Sequence, residues 1–340
     1  MPFAVTRSCK LTLALIALFV VADVVWLPLS PLHFDWSSAR GLIKAGLAIV
    51  ACAALLAVID WRLEGDDSRV AGYLRWAART VGRLAPILGV MALLTSSVAL
   101  LSYVAASTNL PLQDARFAAW DQALGFSWTG WLAWTNSHPW LAKTLSAAYH
   151  TSFAQIMLLL GILTVLDRDQ DLWDFTALFA VTSVGVILIS IAVPAAGATA
   201  FHAPDPSLLS SIHPLSGRWH LQEFLGVRDG TITAISLAKL EGIVQFPSFH
   251  TVCAMITTYG LRNVPYVRWP VAVLNAVIIV STLTEGGHYL VDVIGGAALT
   301  VGAIALVRWL GAGEVITAPV ATSRPAPEPG LIWRPARESA

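Results

Sequence analysis

The hydrophobic positions of this chain form long continuous blocks that are separated by short polar segments. Blocks of about 18 or more apolar residues are typical of membrane-spanning helices, whereas amphipathic helices repeat apolar residues every three or four positions. The pattern predicts eight spans, of which the sixth is the shortest. They cover residues 11–30, 42–60, 85–105, 141–166, 174–198, 247–262, 268–285 and 288–309. The expected fold is therefore all-α, a polytopic membrane helix bundle.

The composition agrees with a membrane protein and argues against several other classes. Of the 340 residues, 56% are hydrophobic and only 12% are charged, too few charges to cover a water-soluble protein of this length. The formal net charge is zero and no basic cluster is interleaved with aromatic residues, so nucleic acid is not an expected partner. Cys9, Cys52 and Cys253 are too scattered for a metal site or a disulfide framework.

The lysines and arginines orient the predicted spans. With residue 1 in the cytoplasm, fourteen basic residues lie on the inner side and seven on the outer side, and the loop 61–84 supplies much of the excess. Cytoplasmic loops carry such an excess, so we expect an integral protein of a bacterial inner membrane with both chain ends in the cytoplasm. An alternative for residues 1–30 is a cleaved signal peptide, although the apolar run is long and no small-residue cleavage site follows it.

The predicted outer segment 111–140 is rich in tryptophan. A helix or loop in the headgroup layer, where it anchors the protein, has this composition. A role in admitting lipid is the alternative. The tryptophans are Trp120, Trp128, Trp131, Trp134 and Trp140.

Polar residues are predicted to meet at the outer ends of the last three spans. The sixth span enters at Pro247, the seventh leaves at Glu285 and the eighth begins at His288. Ionisable residues inside spans are functional candidates by default. The side chains brought to this level are Ser248, His250, His288 and Asp292.

Two of these residues have the spacing of a catalytic pair. His288 and Asp292 are four positions apart, so on a helix they lie on the same face. The carboxylate can accept the proton of one imidazole nitrogen and leave the other nitrogen bare, as in an activated nucleophile. Gly286 and Gly287 give the preceding turn its backbone freedom.

The sequence Pro247-Ser248-Phe249-His250 predicts an anion site at a helix start. Proline is tolerated in a first helical turn, and the N–H groups that follow it point along the axis, where the helix dipole favours an anion. Protonated His250 could give a proton to a leaving oxygen. A helix cap or a structural hydrogen bond explains either motif alone, whereas their convergence favours chemistry on a phosphate.

At these residues the sequence resembles the type 2 phosphatidic acid phosphatase superfamily, whose later motifs are Pro-Ser-Gly-His and Ser-Arg-x5-His-x3-Asp. Here they stand as Pro247-Ser248-Phe249-His250 and as Ser281-Thr282 followed by His288 and Asp292. The bulky Phe249 and the run GGHYLVD look more like the inositol phosphorylceramide synthase branch and its bacterial relatives.

The resemblance implies a phosphohistidine mechanism without metal or cofactor. Carried over by position, His288 is the nucleophile, Asp292 orients it, His250 protonates the leaving group and Ser248 helps to cradle the phosphate. The family core has six helices, which would be residues 85–310 here. Residues 1–84 would then be an addition of two helices and a cytoplasmic loop, and the proline-rich residues 311–340 a disordered cytoplasmic tail.

The chain departs from the family pattern in its cations. Thr282 replaces the arginine of the third motif, and the first motif, Lys-x6-Arg-Pro, has no match outside the tail. A phosphoryl transition state needs cationic or backbone donors. Arg228 is the first candidate because arginine can bind phosphate through two parallel hydrogen bonds, and Arg116 and Lys239 follow. Alternatively, Arg228 faces water or lipid headgroups.

Further polar residues have weaker signals. Tyr149 and His150 in the fourth predicted span could line a substrate pocket, or they could bond between helices. His202, His213 and His220 are too widely spaced for a compact metal site.

The expected activity is phosphoryl transfer from a lipid phosphate or phospholipid in the bilayer, at a site facing the periplasmic or luminal side. The expected phosphate-binding groups are Ser248, Phe249 and Arg228. The motif variant favours a phosphotransferase similar to inositolphosphotransferases. The alternatives are a phosphatase of lipid phosphates or polyprenyl pyrophosphates and, less favoured, a transporter or structural membrane protein, which would not require the Pro-Ser helix start. The sequence does not indicate an oligomeric state.

Overall fold

A computed structural model of the chain describes residues 6–212, 215–237 and 240–311. In these residues the α-helices are α1 (Arg7–Trp26), α2 (Ala39–Arg62), α3 (Arg69–Ser107), α4 (Asp114–Ala123), α5 (Trp128–Asn136), α6 (Pro139–His150), α7 (Ser152–Val165), α8 (Asp169–Ala192), α9 (Ala198–His202), α10 (Leu215–Asp229), α11 (Phe249–Gly260), α12 (Arg268–Ser281) and α13 (Leu290–Gly311). Two short parallel strands, β1 (His33–Phe34) and β2 (Ala234–Ile235), pair between loops. The predicted all-α polytopic bundle is confirmed, and the predicted tail beyond Gly311 lies outside the described residues.

The described helices differ from the eight predicted spans in length. Five are long and apolar enough to cross a membrane, namely those built on α1, α2, α3, α8 and α13, and a sixth is obtained when α6 and α7, bent by 47°, are counted as one. Helices α11 and α12 have only 12 and 14 residues, about 18 and 21 Å at the helical rise. Apolar length alone did not reveal that Ser248 caps α11 and that α12 ends at Ser281, before a run of turns.

Residues that were predicted to lie on the inner side contact one another. Arg83 forms an ion pair with Asp167, Arg168 donates to the carbonyl oxygen of Asn263 at 2.7 Å, and Arg262 lies 3.3 Å from Asp171. We call this side of the bundle the basic end. The opposite side, with α4, α5, α9, α10 and the strand pair, is called the site end.

The first helix is integrated into the bundle. Ser8 donates to Asp174 of α8 at 2.6 Å, and Ser97 of α3 donates to Asp23. Helix α3 continues through residues 84 and 85, where the sequence predicted a boundary between an addition and a core. Helix α2, in contrast, packs mainly on α3, and no residue in its most apolar stretch is buried.

The tryptophan-rich segment 111–140 forms two short helices at the site end. Trp128 is buried and its indole nitrogen donates to the carbonyl oxygen of Leu283 at 2.9 Å. Trp120, Trp134 and Trp140 are exposed. One tryptophan therefore holds the turn after α12, while the exposed ones agree with the expected contact with lipid headgroups.

Candidate active site

A cavity of about 640 Å³ lies at the site end, between the membrane helices and the segment that connects α9 to α11. Four of its lining residues are histidines: His150, His220, His250 and His288. The chain thus brings the two predicted catalytic histidines to one space, although 38 sequence positions separate them.

The predicted pair of His288 and Asp292 is present, but the backbone under it differs from the expectation. His288 does not lie on a helix, because α13 begins at Leu290. Its N–H donates to the carbonyl oxygen of Thr282 at 3.2 Å, and its Nδ1 lies 3.1 Å from Oδ2 of Asp292. Both side chains are buried. The pair is therefore formed by His288 in a loop and Asp292 in the first turn of α13. It is not formed by two residues on one helix face, as was predicted.

Asp292 and Gln245 both lie close to Nδ1 of His288 and bear on which ring nitrogen carries the proton. Its amide nitrogen donates to the carbonyl oxygen of Gly287 at 3.1 Å and lies 3.5 Å from Oδ2 of Asp292. The same nitrogen is 2.9 Å from Nδ1 of His288. A bare Nδ1 could accept from this amide, but its lone pair would then face the carboxylate of Asp292, so we assign Nδ1–H as the donor to Asp292, with the Gln245 amide donating to Gly287 and to the carboxylate. The lone pair of the ring then lies on Nε2.

Glycines keep the space around this ring free. A Cβ at Gly286 would lie 2.7 Å from Cδ2 and 3.2 Å from Nε2 of His288. Gly287 has φ +62°, and a Cβ there would lie 2.3 Å from the hydroxyl oxygen of Thr199. A side chain at Gly286 would therefore displace the His288 ring, and one at Gly287 would also strain the backbone, as the predicted turn before His288 requires.

Asp292 also joins the two helix starts that form the site. Its Oδ2 accepts the N–H of Tyr289 at 2.9 Å, and its backbone carbonyl oxygen accepts the N–H of Ser248 at 3.0 Å. Gly296, one turn later, permits this approach, since a Cβ there would lie 2.6 Å from the carbonyl oxygen of Ser248. The first turns of α11 and α13 are thus locked together.

The start of α11 corrects two details of the predicted phosphate cradle. Pro247 precedes the cap instead of standing in the first turn, because the helix begins at Phe249 with Ser248 as its N-cap. The N–H of Ser248 is not free, since it donates to Asp292. Its buried hydroxyl accepts from the N–H and the hydroxyl of Thr251 at 3.4 and 3.1 Å. The backbone N–H groups of Phe249 and His250 remain as the anion donors of this helix start.

His250 faces the cavity from the first turn of α11. Its Nδ1 lies 3.3 Å from the hydroxyl of Tyr149, and the two rings stack with centroids 4.3 Å apart. Tyr149 and His150 both line the cavity, so the pocket-lining alternative for these two residues fits the structure. Phe249 lines it as well, with its ring 5.5 Å from that of Phe179.

Arg228 is not brought to the cavity. Its Nη2 donates to the carbonyl oxygen of Leu110 at 2.7 Å, and its guanidinium lies 5.3 Å from the ring centre of Phe224. Burial lowers its pKa, while Asp114 opposes that effect. Arg116 is exposed on α4, and Lys239 lies outside the described residues. Within the described ranges, the cavity lining contains no lysine or arginine.

Several residues at the site were missed by sequence reasoning. Gln245 stands three positions before Ser248, so its closeness to the motif was a usable signal. The aspartates of α4 gave no signal, because their hydrogen-bond partners are distant in the sequence. Asp121 accepts the N–H groups of Leu290 and Val291, each at 2.9 Å, and thereby caps α13.

Asp114 holds the other side of the same turn. It accepts the N–H groups of Ala196 and Gly197 at 3.0 and 2.8 Å, and the hydroxyl of Tyr289 at 3.0 Å. Tyr289, the residue after His288, is thus held by a side chain of α4. Among the residues that the structure describes, no group of three or more His, Cys, Asp or Glu side chains is arranged to hold a metal ion.

Comparison with known proteins identifies a family. A family model described as the PAP2 superfamily matches residues 115–306, more than half of the chain. Neither the curated proteins nor the solved structures gave a match. The matched range contains the cavity histidines, Asp292 and the α4 aspartate that caps α13. With its apolar helices and this match, the chain is an integral membrane protein that belongs to the PAP2 superfamily, a superfamily of phosphatase-type enzymes.

Proposed function

We propose that the protein transfers a phosphoryl or phosphoester group from a membrane lipid through a covalent intermediate on His288. The observation that carries this proposal is the buried His288–Asp292 pair, whose Nδ1 is bound at 3.1 Å and whose Nε2 is left for attack, in the same cavity as His250. An oriented imidazole opposite a second imidazole is the arrangement needed for nucleophilic attack with general acid catalysis.

In the first step, Nε2 of His288 bonds to phosphorus and the bond from phosphorus to the leaving oxygen breaks. His250 gives its proton to that oxygen, and Asp292 stabilises the positive charge on the His288 ring. In the second step, an alcohol or water attacks phosphorus, the P–N bond breaks and its electron pair returns to Nε2. His250 takes the proton of the attacking hydroxyl, which restores both histidines.

The cavity suits an amphiphilic donor. Phe153, Phe179 and Ile187 line it from the membrane helices, whereas the segment between α9 and α11 contributes the polar residues His220, Glu241 and Gln245 beside Leu237 and Leu240. Acyl or prenyl chains would lie along the apolar side, with the phosphate between His250 and His288. The polar groups His220 and Glu241 could hold an alcohol acceptor, and this supports a transferase.

The test uses the purified protein in detergent or nanodiscs with a chelator and a panel of lipid phosphates and phospholipids. The expected result is a phosphorus label on histidine that is labile in acid and stable in alkali, and that is absent in His288→Asn. His138→Asn, a surface histidine of the same bundle, is the matched control and should label normally. Equal labelling and turnover in wild type and His288→Asn would overturn the proposal. Mass spectrometry of the products separates transfer from hydrolysis.

A further inference from the structure

The outer wall of the cavity carries a second polar pair that the two-step mechanism does not use. His220 of α10 and Glu241 line the cavity together with His250 and His288. Nε2 of His220 lies 3.6 Å from Oε2 of Glu241. Both residues belong to the segment between α9 and α11, which contains α10 and lies at the site end of the bundle.

The surroundings define what this pair can bind. Burial and, to a smaller extent, His288 lower the pKa of His220, so its ring is neutral at pH 7 and offers one donor and one acceptor. Burial and then Glu223 raise the pKa of Glu241. Glu223 in turn accepts the hydroxyl of Tyr103 at 3.2 Å. The cavity wall therefore offers the carboxylate of Glu241 and the bare ring nitrogen of His220 as acceptors.

Such a wall discriminates between possible acceptor molecules. A second anion would be repelled by the carboxylate of Glu241, and an ammonium group could pair with that carboxylate but offers no lone pair to the ring N–H of His220. Hydroxyl groups both donate and accept, so they can bind the carboxylate and the neutral imidazole at the same time. Ligands with several hydroxyls can make both contacts from neighbouring carbons, as a sugar or a cyclic polyol does.

We propose that His220 and Glu241 form an acceptor subsite that binds a neutral polyhydroxylated alcohol and presents one hydroxyl to the phosphohistidine. This inference rests on the proposed function. The chemical step is the second step given above: the hydroxyl oxygen bonds to phosphorus, the P–N bond to His288 breaks, and His250 takes the proton. His220 and Glu241 act as binding residues and take no part in bond making.

The experiment measures how the intermediate divides between alcohol and water. The purified protein turns over a lipid phosphate or phospholipid donor with increasing myo-inositol, glucose or sorbitol, and, in parallel, with choline and glycerol 3-phosphate. The expected result for wild type is transfer to at least one neutral polyol that saturates with concentration, and no transfer to glycerol 3-phosphate. Saturation distinguishes a bound acceptor from random capture.

The variants Glu241→Gln and His220→Gln test the subsite itself. Each should lower the ratio of transfer to hydrolysis by about 10- to 100-fold, the effect of losing one hydrogen bond to a charged or buried group. Histidine labelling should stay within about twofold of wild type, which also reports that the variant is folded. Glu64→Gln and His138→Gln, both distant from the cavity, are the matched controls and should keep the wild-type ratio.

The outcomes separate the two proposals. Absence of histidine labelling in wild type overturns the proposed function. Normal labelling with an unchanged transfer ratio in both variants overturns only the acceptor subsite. Normal labelling with hydrolysis alone, or with transfer to choline instead of a polyol, also overturns the subsite while the histidine mechanism stands.

Discussion

The two nitrogens of His288 have different surroundings, and this difference determines what the ring can do. Nδ1 is held by Asp292, whose carboxylate is itself supported by Gln245 and by the N–H of Tyr289. Nε2 lies beside Gly286, where no side chain occupies the space. One nitrogen is therefore fixed, and the other is free to meet a phosphorus atom.

Gly286→Ala should impair catalysis more than folding. The new methyl group would lie 2.7 Å from Cδ2 and 3.2 Å from Nε2 of His288, closer than van der Waals contact allows, so the ring must move. A displacement of about 1 Å at a reacting group can cost about 100-fold in rate. The control is Gly302→Ala on α13, where nothing lies within 4 Å. The measurement is initial-rate turnover of a lipid phosphate, and comparable rates for the two variants would contradict an open Nε2 at this position.

His250→Asn should produce a defect that depends on the leaving group. If His250 protonates the leaving oxygen, turnover of an alkyl phosphate falls by about 10²- to 10⁴-fold. An aryl phosphate such as p-nitrophenyl phosphate needs little protonation, so its first step should be much less affected. The measurement is the rate of histidine labelling with each donor. Equal losses for both donors would indicate that His250 positions the phosphate and does not donate a proton.

The residues of the site could be predicted unequally. His250, His288 and Asp292 follow from local motifs, since the residue types and spacing required by the chemistry stand within a few positions. Arg228 was predicted to bind phosphate because it is near the Pro-Ser motif in sequence. In the structure its guanidinium contacts Leu110 and Phe224 and does not line the cavity. Gln245 and Asp121 act through tertiary contacts, which no single-sequence pattern encodes.

At the scale of elements, two carboxylates of α4 accept hydrogen bonds from residues at the start of α13, a helix that is distant in the sequence. Asp121 satisfies two N–H groups at the start of α13 that have no acceptor within their own helix. Asp114 holds the loop before α9 and the hydroxyl of Tyr289. The position of His288 therefore depends on a helix that contributes no lining residue to the cavity.

Asp121→Ala should destabilise the protein and loosen the start of α13. Loss of a helix cap costs about 0.5–2 kcal/mol, and two N–H groups would lose their acceptor here. The expected result is a Tm lower by a few degrees, measured by thermal unfolding in detergent with tryptophan fluorescence. Gln122→Ala, the exposed neighbour on α4, is the control and should leave the Tm unchanged. A wild-type Tm in both variants would contradict the cap.

The same carboxyl group should give a pH dependence of known sign. Burial raises the pKa of Asp121, more than its two N–H donors and His202 lower it. Between its ordinary pKa and the raised one, the folded protein binds a proton that the unfolded chain has lost, so the free energy of unfolding falls as the pH rises through this window. The Tm difference between wild type and Asp121→Asn, measured from pH 4 to 7.5, should follow this slope and become constant above it. A difference that is constant across the whole range would contradict the raised pKa.

At the scale of the whole molecule, hydrophobic blocks predicted the bundle because a helix that crosses a membrane needs a long apolar stretch. They could not show where caps and turns end a helix. The short α11 begins at the Ser248 cap, and its first turn is tied to Asp292, so the site lies below the outer surface of the longer helices. Helix α3 joins the regions before and after residue 84, which apolar blocks had separated.

The direction of the molecule in the membrane is the remaining property that the charge pattern predicts. Arg83, Arg168 and Arg262 gather at the basic end with their acidic partners, and cytoplasmic loops carry the excess of basic residues. The basic end should therefore face the cytoplasm, and the cavity should open to the periplasmic or luminal side. A polyol acceptor would then be drawn from outside the cytoplasm, whereas the lipid donor reaches the site from the bilayer.

Two variants, each with one exposed cysteine, test this direction in intact cells. The background is Cys52→Ser, since Cys9 and Cys253 are buried. Gln122→Cys, exposed on α4 at the site end, should react with a membrane-impermeant maleimide. Asp67→Cys, exposed in the loop between α2 and α3 at the basic end, should react only after the membrane is permeabilised. The opposite pattern would place the cavity on the cytoplasmic side, and the acceptor would then have to be a cytoplasmic alcohol.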